Sequence, residues 1–257
     1  MEPVSLTLQN LYEPQILVTT GDFLLVYKPP KMHSAPGKGT SLAEWCKARF
    51  PEIGDIHRPM GGQNRVDNVK ECGLLHRLDY ETQGLVLVAR NQRSFEILLD
   101  EQNRGGVVKE YGALVSKAEK MPPGFPPFAG VLRNNGNIES NFRPYGPGRK
   151  EVRPTNESKS YRTEPYCTEI YCTEPFGKPI ELENIRYFRL RIHKGFRHQI
   201  RCHLAWAGFP ILNDPLYGGQ QFGKGILALR AQGIIFLDPN SGERLRYVLP
   251  ALNIQDL

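Results

Sequence analysis

Long apolar runs are missing from this sequence, and none approaches the roughly 20 residues that a helix needs to cross a bilayer. The first residues, Met1 to Ser5, have neither the apolar core of a secretory signal nor the Arg-rich amphipathic pattern of an organellar one. We therefore expect a cytoplasmic protein that has no membrane partner.

Cysteine patterns typical of disulfide or zinc frameworks are missing as well. The five cysteines are odd in number and irregular in spacing, and they include no Cys-x-x-Cys pair. This argues against a structural zinc site, and reduced thiols in the cytosol are the simplest interpretation. His198, Cys202 and His203 are poorly spaced for a metal and have no fourth ligand, so we expect no metal.

The composition is that of an ordinary globular protein, with 40% hydrophobic and 23% charged residues. The 257 residues suffice for one large domain or two small ones. The formal charge of +6 is compatible with a polyanionic partner such as nucleic acid but does not require one.

A polar stretch between two apolar runs is the most informative part of the chain. His76, Arg77, Asp79, Glu81 and Thr82 lie between Leu74-Leu75 and the run Leu85 to Ala89, which is typical of a buried strand. A loop anchored on the core at both ends often carries a functional site. The alternative is a surface turn with solvated charges.

A second basic stretch runs from Gly195 to Gly208. Ile200, Leu204 and Ala207 share one helical face, and Arg197 and Arg201 are spaced four apart. We therefore expect both guanidinium groups to leave the same side of a helix, with an anion nearby.

Simple patterns predict the elements around these stretches. The predicted helices are Leu42–Phe50, capped by Thr40 or Ser41, and a helix over Phe95, Leu98 and Leu99 that is capped by Asn91. The predicted strands are 23–27, 85–89, 107–115, 187–192, 226–229, 234–237 and 245–249, and the repeat-like segment 163–176 is predicted to supply further strand material. The segment 121–148 is rich in Pro and Gly, which predicts an insertion or linker and not core.

Four segments in this order resemble the motifs of the RluA-type pseudouridine synthases. They are Tyr27-Lys28-Pro29-Pro30, His76-Arg77-Leu78-Asp79, Lys109-Glu110-Tyr111, and His198-Gln199-Ile200-Arg201 continuing to Asp214-Pro215-Leu216-Tyr217-Gly218. The resemblance covers about Gly21 to Pro250. It implies isomerisation of specific uridines in structured rRNA or tRNA to pseudouridine, without a cofactor, by a monomer.

The resemblance also implies roles for individual residues. Asp79 matches the catalytic aspartate, for which attack on the sugar and attack on the base both remain open. Arg201 matches the arginine that pairs with this aspartate, and Tyr111 the aromatic residue that stacks on the target base. Arg77 matches the residue that fills the gap left by a flipped nucleotide; a phosphate clamp is its alternative. The further RNA-binding candidates are Lys28, His76, Lys109, Arg197 and His198.

The chain departs from the family pattern at several points. Gln83 stands where the family usually has a small residue, in Thr-Ser-Gly, and Arg197 adds a charge before His198. About twenty lead-in residues are too few for the S4 domain that many relatives carry. Arg143, Arg149, Lys150 and Arg153 form either a basic RNA-binding arm or a solvated loop.

The predicted architecture is α+β: a pseudouridine synthase-like catalytic domain with a central, mostly antiparallel sheet flanked by helices and loops. Residues 1–20 form a lead-in, and residues 21–257 form the domain, with inserts near 51–71 and 119–160. Two rival functions remain: an inactive RNA-binding relative, and a hydrolase of glycosidic bonds that uses Asp79 and Glu81. The basic surroundings are unlike a neutral-sugar cleft.

Overall fold

The computed structural model describes residues 2–37, 39–58, 71–130, 136–155, 164–175 and 184–257. The chain divides into two compact units. Unit 1 comprises residues 1–109 and 230–250, and unit 2 comprises residues 110–229 and 251–257. Of the predicted long excursion at 51–71, residues 59–70 lie outside the described residues, and Pro51–Asp55 form a 3-10 turn.

The strands of unit 1 have the spatial order β2-β3-β4-β10. Strand β11 pairs with β10 and also with β1. The bounds are β1 Val4–Ser5, β2 Gln15–Thr19, β3 Phe23–Lys28, β4 Gln83–Ala89, β10 Leu229–Leu237, of which the first residue belongs to unit 2, and β11 Arg244–Val248. Strands β3 and β4 are buried along their whole length because apolar residues occupy nearly every position. The predicted strands 226–229 and 234–237 are replaced by the single strand β10, whose hairpin with β11 was predicted.

Strands β4 and β10 pair in parallel, whereas β3 and β4 are antiparallel. Gln83 lies opposite Arg230, and Gly84 lies opposite Ala231. Gly84 has a φ of 130°, and a Cβ at this position would collide with the backbone of Ala231. Only glycine therefore allows this pairing directly after the polar loop.

In the described part of unit 1, the α-helices are α1 (Leu42–Lys47) and α2 (Gln92–Asn103). Ser41 and Glu44 form the predicted capping box of α1, although the helix ends at Lys47 instead of Phe50. Asn91 caps α2 as predicted by accepting a hydrogen bond from the Ser94 amide.

The strands of unit 2 have the order β5-β9-β8-β6-β7. Their bounds are β5 Val108–Ser116, of which the first two residues belong to unit 1, β6 Gly136–Tyr145, β7 Glu151–Thr155, β8 Tyr166–Pro175 and β9 Ile185–Ile192. The β6–β7, β6–β8 and β8–β9 pairs are antiparallel. The architecture is the predicted α+β class with a mostly antiparallel mixed sheet.

The expectation that 121–148 is an insertion or linker without core residues is wrong for its second half, which contributes buried residues. Residues 136–155 form the β6–β7 hairpin, and Ile138, Ser140 and Val152 are buried. Its prolines are tolerated because β7 is an edge strand and Pro144 lies near the hairpin end, opposite Val152. The repeat-like segment supplies β8, so its interpretation as strand material is confirmed.

Helix α3 (Gln199–Trp206) is the one predicted from the second basic stretch, but it starts later than expected. His198 precedes it in a left-handed conformation with a φ of 55°. Arg197 therefore lies outside the helix and is exposed, whereas Arg201 is 1% exposed. The prediction that Arg197 and Arg201 leave one helical side together is wrong.

Two sequence expectations can be compared directly with the described part of the chain. Within these residues, no helix has both the length and the apolar character needed for a membrane crossing. The described ranges include all five cysteines, and no disulfide bond joins any of them.

Candidate active-site residues

Hydrogen bonds between a serine hydroxyl and the loop backbone hold the polar loop of unit 1 against the rest of the unit. Ser34 Oγ donates to the Leu78 carbonyl at 2.8 Å and accepts from the Leu78 amide at 3.0 Å. The Thr82 amide donates to the Asp79 carbonyl at 3.1 Å, which closes a turn. Asp79 itself is half-buried. The hydrogen-bonded turn thus fixes the backbone of Asp79, whose side chain is only partly exposed to solvent.

Lys28 places a buried positive charge close to this loop. Its side chain is 0% exposed, and Nζ donates to the carbonyls of Pro29 and Met32 at 2.8 Å and of Tyr80 at 3.4 Å. Burial lowers the pKa of Lys28 to about 7, and the charges of Asp79 and Glu81 oppose this shift. Direct phosphate binding by Lys28 is not supported, because the ammonium group faces carbonyl oxygens and not solvent.

Gln83 and Arg230 form a second buried polar group next to the loop. Gln83 Oε1 accepts from Tyr27 Oη at 2.8 Å and from Arg230 Nη2 and Nε at 3.1 and 3.3 Å. Arg230 Nη1 donates to the Pro250 carbonyl at 3.2 Å. Gln83 stands where the family usually has a small residue. Its longer side chain places an amide oxygen within hydrogen-bond distance of Arg230, which a small side chain could not do.

His76 lies at the start of the loop with a neutral imidazole. Burial, together with the charge of Lys109, lowers the pKa of His76 to about 3. Its Nε2 accepts from the Leu87 amide at 3.2 Å, so Nδ1 carries the proton. Within the described residues, His76 Nδ1 and Thr82 Oγ1 are buried without a hydrogen-bond partner. A bound ligand could satisfy either atom.

Lys109 and Arg77 differ strongly in exposure. Lys109 is 5% exposed, and burial lowers its pKa to about 8. Arg77 has a side chain that is 63% exposed and forms an ion pair with Glu71 at 3.4 Å. Of these two RNA-binding candidates, Arg77 is therefore the one whose charged group is accessible to RNA. Its exposed ion pair with Glu71 is weak, so it does not prevent such a contact.

Arg201 in unit 2 forms a buried, two-point ion pair with Asp214. Its Nε and Nη2 donate to Oδ2 and Oδ1 of Asp214 at 2.8 and 2.9 Å, and both side chains are at most 1% exposed. Asp214 Oδ1 also accepts from the amides of Leu216 and Tyr217 at 3.0 and 3.2 Å. This carboxylate supplies an anion next to Arg201, as expected. The sequence analysis quoted Asp214 within the fourth motif but gave it no role.

The other candidates in unit 2, His198 and Tyr111, lie among contacts within the unit. His198 Nδ1 lies 3.1 Å from Tyr217 Oη, which accepts from the Val152 amide at 3.0 Å. Tyr111 is 6% exposed on β5. The neighbouring residue on β5, Glu110, accepts from Arg191 at 2.8 and 3.0 Å.

Three of the four residues of the predicted basic arm are exposed, and the fourth is buried. Arg143, Arg149 and Lys150 are exposed. Arg153 is 3% exposed; it donates to the Pro123 carbonyl, pairs with Glu151 at 2.6 Å and lies 4.2 Å from the Tyr145 ring centroid. The prediction that Arg153 belongs to an RNA-binding arm is therefore wrong, because its guanidinium is buried and binds groups within unit 2.

Comparisons with known proteins all point to the same family. The model of the family described as RNA pseudouridylate synthase matches residues 22–206. An uncharacterized RNA pseudouridine synthase of Bacillus subtilis, YlyB, is 25% identical over 97% of this chain and 70% of that protein. The ribosomal large subunit pseudouridine synthase D of Escherichia coli K12 is 25% identical over 85% of this chain and 55% of that protein.

A further relative and a solved structure point the same way. An uncharacterized RNA pseudouridine synthase of Chloroflexus aurantiacus is 31% identical over 74% of this chain and 50% of that protein. The chain thus spans about half the length of several curated relatives. The structure of human RNA pseudouridylate synthase domain containing 1 has a TM-score of 0.62 at 20% identity and covers 97% of this chain and 86% of that one. This likeness shows the fold.

Proposed function

Because the chain belongs to the RNA pseudouridylate synthase family, we propose that it isomerises uridine in RNA to pseudouridine. The observation that carries this proposal is the family match over residues 22–206, which includes Asp79, Tyr111 and Arg201. Relatives named for the large ribosomal subunit make rRNA the first substrate to test, and tRNA is the second. Action in the cytoplasm, as a monomer and without a cofactor, stays a prediction.

In the proposed reaction, the bond between uracil N1 and ribose C1′ breaks and a bond between C5 and C1′ forms. N1 gains a proton, and the hydrogen on C5 is lost to solvent. Asp79 is the nucleophile, and its fixed turn and half-buried position favour this role. In its protonated form, the Lys28 side chain supplies positive charge that favours the ionised carboxylate. Attack on the sugar and attack on the base both satisfy these observations.

The remaining roles follow the family resemblance. We propose that Tyr111 stacks on the target base and that Arg201 pairs with Asp79. The pairing with Asp79 rests on the family resemblance, and the two-point ion pair with Asp214 fixes where the Arg201 guanidinium lies. For Arg77, the exposed side chain favours contact with RNA and leaves insertion and phosphate clamping open.

One assay separates the proposed enzyme from its two rivals. The protein is incubated with rRNA or tRNA transcripts that carry tritium at uracil C5. Release of tritium with the base still attached to the RNA is expected. Free labelled uracil would instead indicate a hydrolase, and tight binding with neither product would indicate an inactive RNA-binding relative.

A further inference from the structure

We propose that the tip of the β6–β7 hairpin and the segment before α3 form a binding surface for unpaired RNA nucleotides. We define this tip surface by Arg149, Lys150, Phe196 and Arg197. The inference rests on the proposed function, because it takes RNA as the substrate class. It adds residues of unit 2 that would hold unpaired nucleotides of the substrate RNA.

Exposed positive charge is concentrated at this place. Arg197 Nη2 donates to the carbonyls of Arg149 and Glu151 at 2.7 and 3.3 Å, which fixes its exposed guanidinium against the hairpin tip. Arg149 and Lys150 are exposed on the same tip. The acceptors of Arg197 are neutral carbonyls, so its charge is not cancelled by them.

The neighbouring acidic residue does not neutralise these cations. The carboxylate of Glu151 forms a 2.6 Å ion pair with Arg153, which is buried. Arg153 also lies 4.6 and 4.2 Å from the ring centroids of Phe125 and Tyr145. Glu151 and Arg153 thus neutralise each other within the hairpin. The tip surface retains the positive charges of Arg149, Lys150 and Arg197, which attract phosphate.

Aromatic rings continue the surface next to Arg197. Phe196 stacks on Phe142 with a centroid distance of 5.0 Å and an interplanar angle of 7°, and Tyr166 lies 5.0 Å from Phe196. All three residues are half-buried, so the rest of the unit covers them only in part. Cations that follow a strand's backbone beside rings that stack on its bases are typical of sites for single-stranded nucleic acid.

The test uses two variants and a matched control. The triple variant R149A/K150A/R197A removes the charges of the tip surface, and Phe196→Leu removes a ring but keeps apolar volume. The control K47A/R93A/R104A removes three exposed cations of unit 1. Each protein is titrated with single-stranded and with fully duplex RNA of equal length between 50 and 200 mM salt, and tritium release is measured in parallel.

We expect the triple variant to bind single-stranded RNA at least about tenfold more weakly at low salt, with a salt slope smaller by about 2. Phe196→Leu should weaken binding about tenfold without changing the slope. Both should raise KM and leave kcat at saturating RNA within about twofold. The control should resemble the wild type in slope.

Three outcomes would overturn the inference. The triple variant could bind like the control, Phe196→Leu could bind like the wild type although it is folded, or duplex and single-stranded RNA could lose affinity equally. A wild-type protein that binds RNA but releases no tritium would refute the proposed activity while the affinities still decide the role of the tip surface.

Discussion

The two units bury positive charge in different ways. In unit 1, Lys28 donates to three backbone carbonyls, and Arg230 donates to the amide oxygen of Gln83 and the carbonyl of Pro250. In unit 2, Arg201 and Arg153 each bind a carboxylate, Asp214 and Glu151 respectively. Lys28 is thus held by neutral carbonyl oxygens, whereas Arg201 and Arg153 are held by carboxylates.

The difference separates two uses of a buried cation. A guanidinium paired at two points with a carboxylate has its charge largely compensated, so it fixes geometry. An ammonium held by carbonyls retains a net charge that acts on its surroundings, and its protonation responds to pH. This contrast predicts that breaking the pairs of unit 2 costs mainly stability, whereas changing Lys28 alters how stability depends on pH.

The largest effect is expected from Asp214→Ala. The change leaves Arg201 charged and buried without its two-point partner, which should lower the free energy of unfolding by about 3–5 kcal/mol. Urea unfolding at pH 7 measures this loss. The control is Asp100→Ala, which removes an exposed pair with Arg104 and should cost under about 0.5 kcal/mol. Equal losses in the two variants would contradict a structural role for the Arg201–Asp214 pair.

A smaller loss is expected from Gln83→Ser, which restores the small residue usual in the family. The hydroxyl of Tyr27 and the guanidinium of Arg230 would lose a shared buried acceptor, at a cost of about 2–3 kcal/mol. Gln9→Ser, at an exposed position, should change the unfolding free energy by less than about 0.5 kcal/mol. A neutral result for Gln83→Ser would show that Arg230 does not depend on this amide.

The smallest effect concerns the pH dependence of Lys28. Between the folded-state pKa of about 7 and the ordinary value of 10.5, the unfolded chain binds a proton at Lys28 that the folded chain does not. Stability should therefore rise with pH through this window and fall as pH drops to 7. Relative to Lys28→Met, the wild type should gain at most about 1.4 kcal/mol per pH unit.

Urea unfolding of both proteins at pH 7, 8 and 9 measures this gain. Lys109 is present in both proteins, so its own contribution cancels. The matched control is Lys47→Met, at an exposed position. Parallel pH profiles of the wild type and Lys28→Met would show that Lys28 stays charged throughout.

Local sequence signals predicted much of the fold because they act over a few residues. The apolar runs gave β3 and β4, and the caps Ser41 and Asn91 gave the starts of α1 and α2. The β6–β7 hairpin was missed because its prolines suggested a linker, and proline is excluded only from central strands.

The polar contacts around the candidate residues had no such local signal. Gln83 and Arg230 are 147 positions apart, and only the parallel pairing of β4 with β10 brings them together. Arg201 and Asp214 are closer in sequence, yet Asp214 is reached only through the turns that follow α3. Arg153 looked like a surface cation because its partners Pro123 and Phe125 lie on another segment.

The most direct test of the account is the turnover of Asp79→Asn at RNA concentrations that saturate it. The substitution keeps the size of the side chain but removes the nucleophile, so tritium release should fall by about 10⁴-fold or more while the Kd for RNA stays within about threefold. Turnover within tenfold of the wild type would contradict Asp79 as the nucleophile, and equal loss of turnover and affinity would assign Asp79 to folding instead.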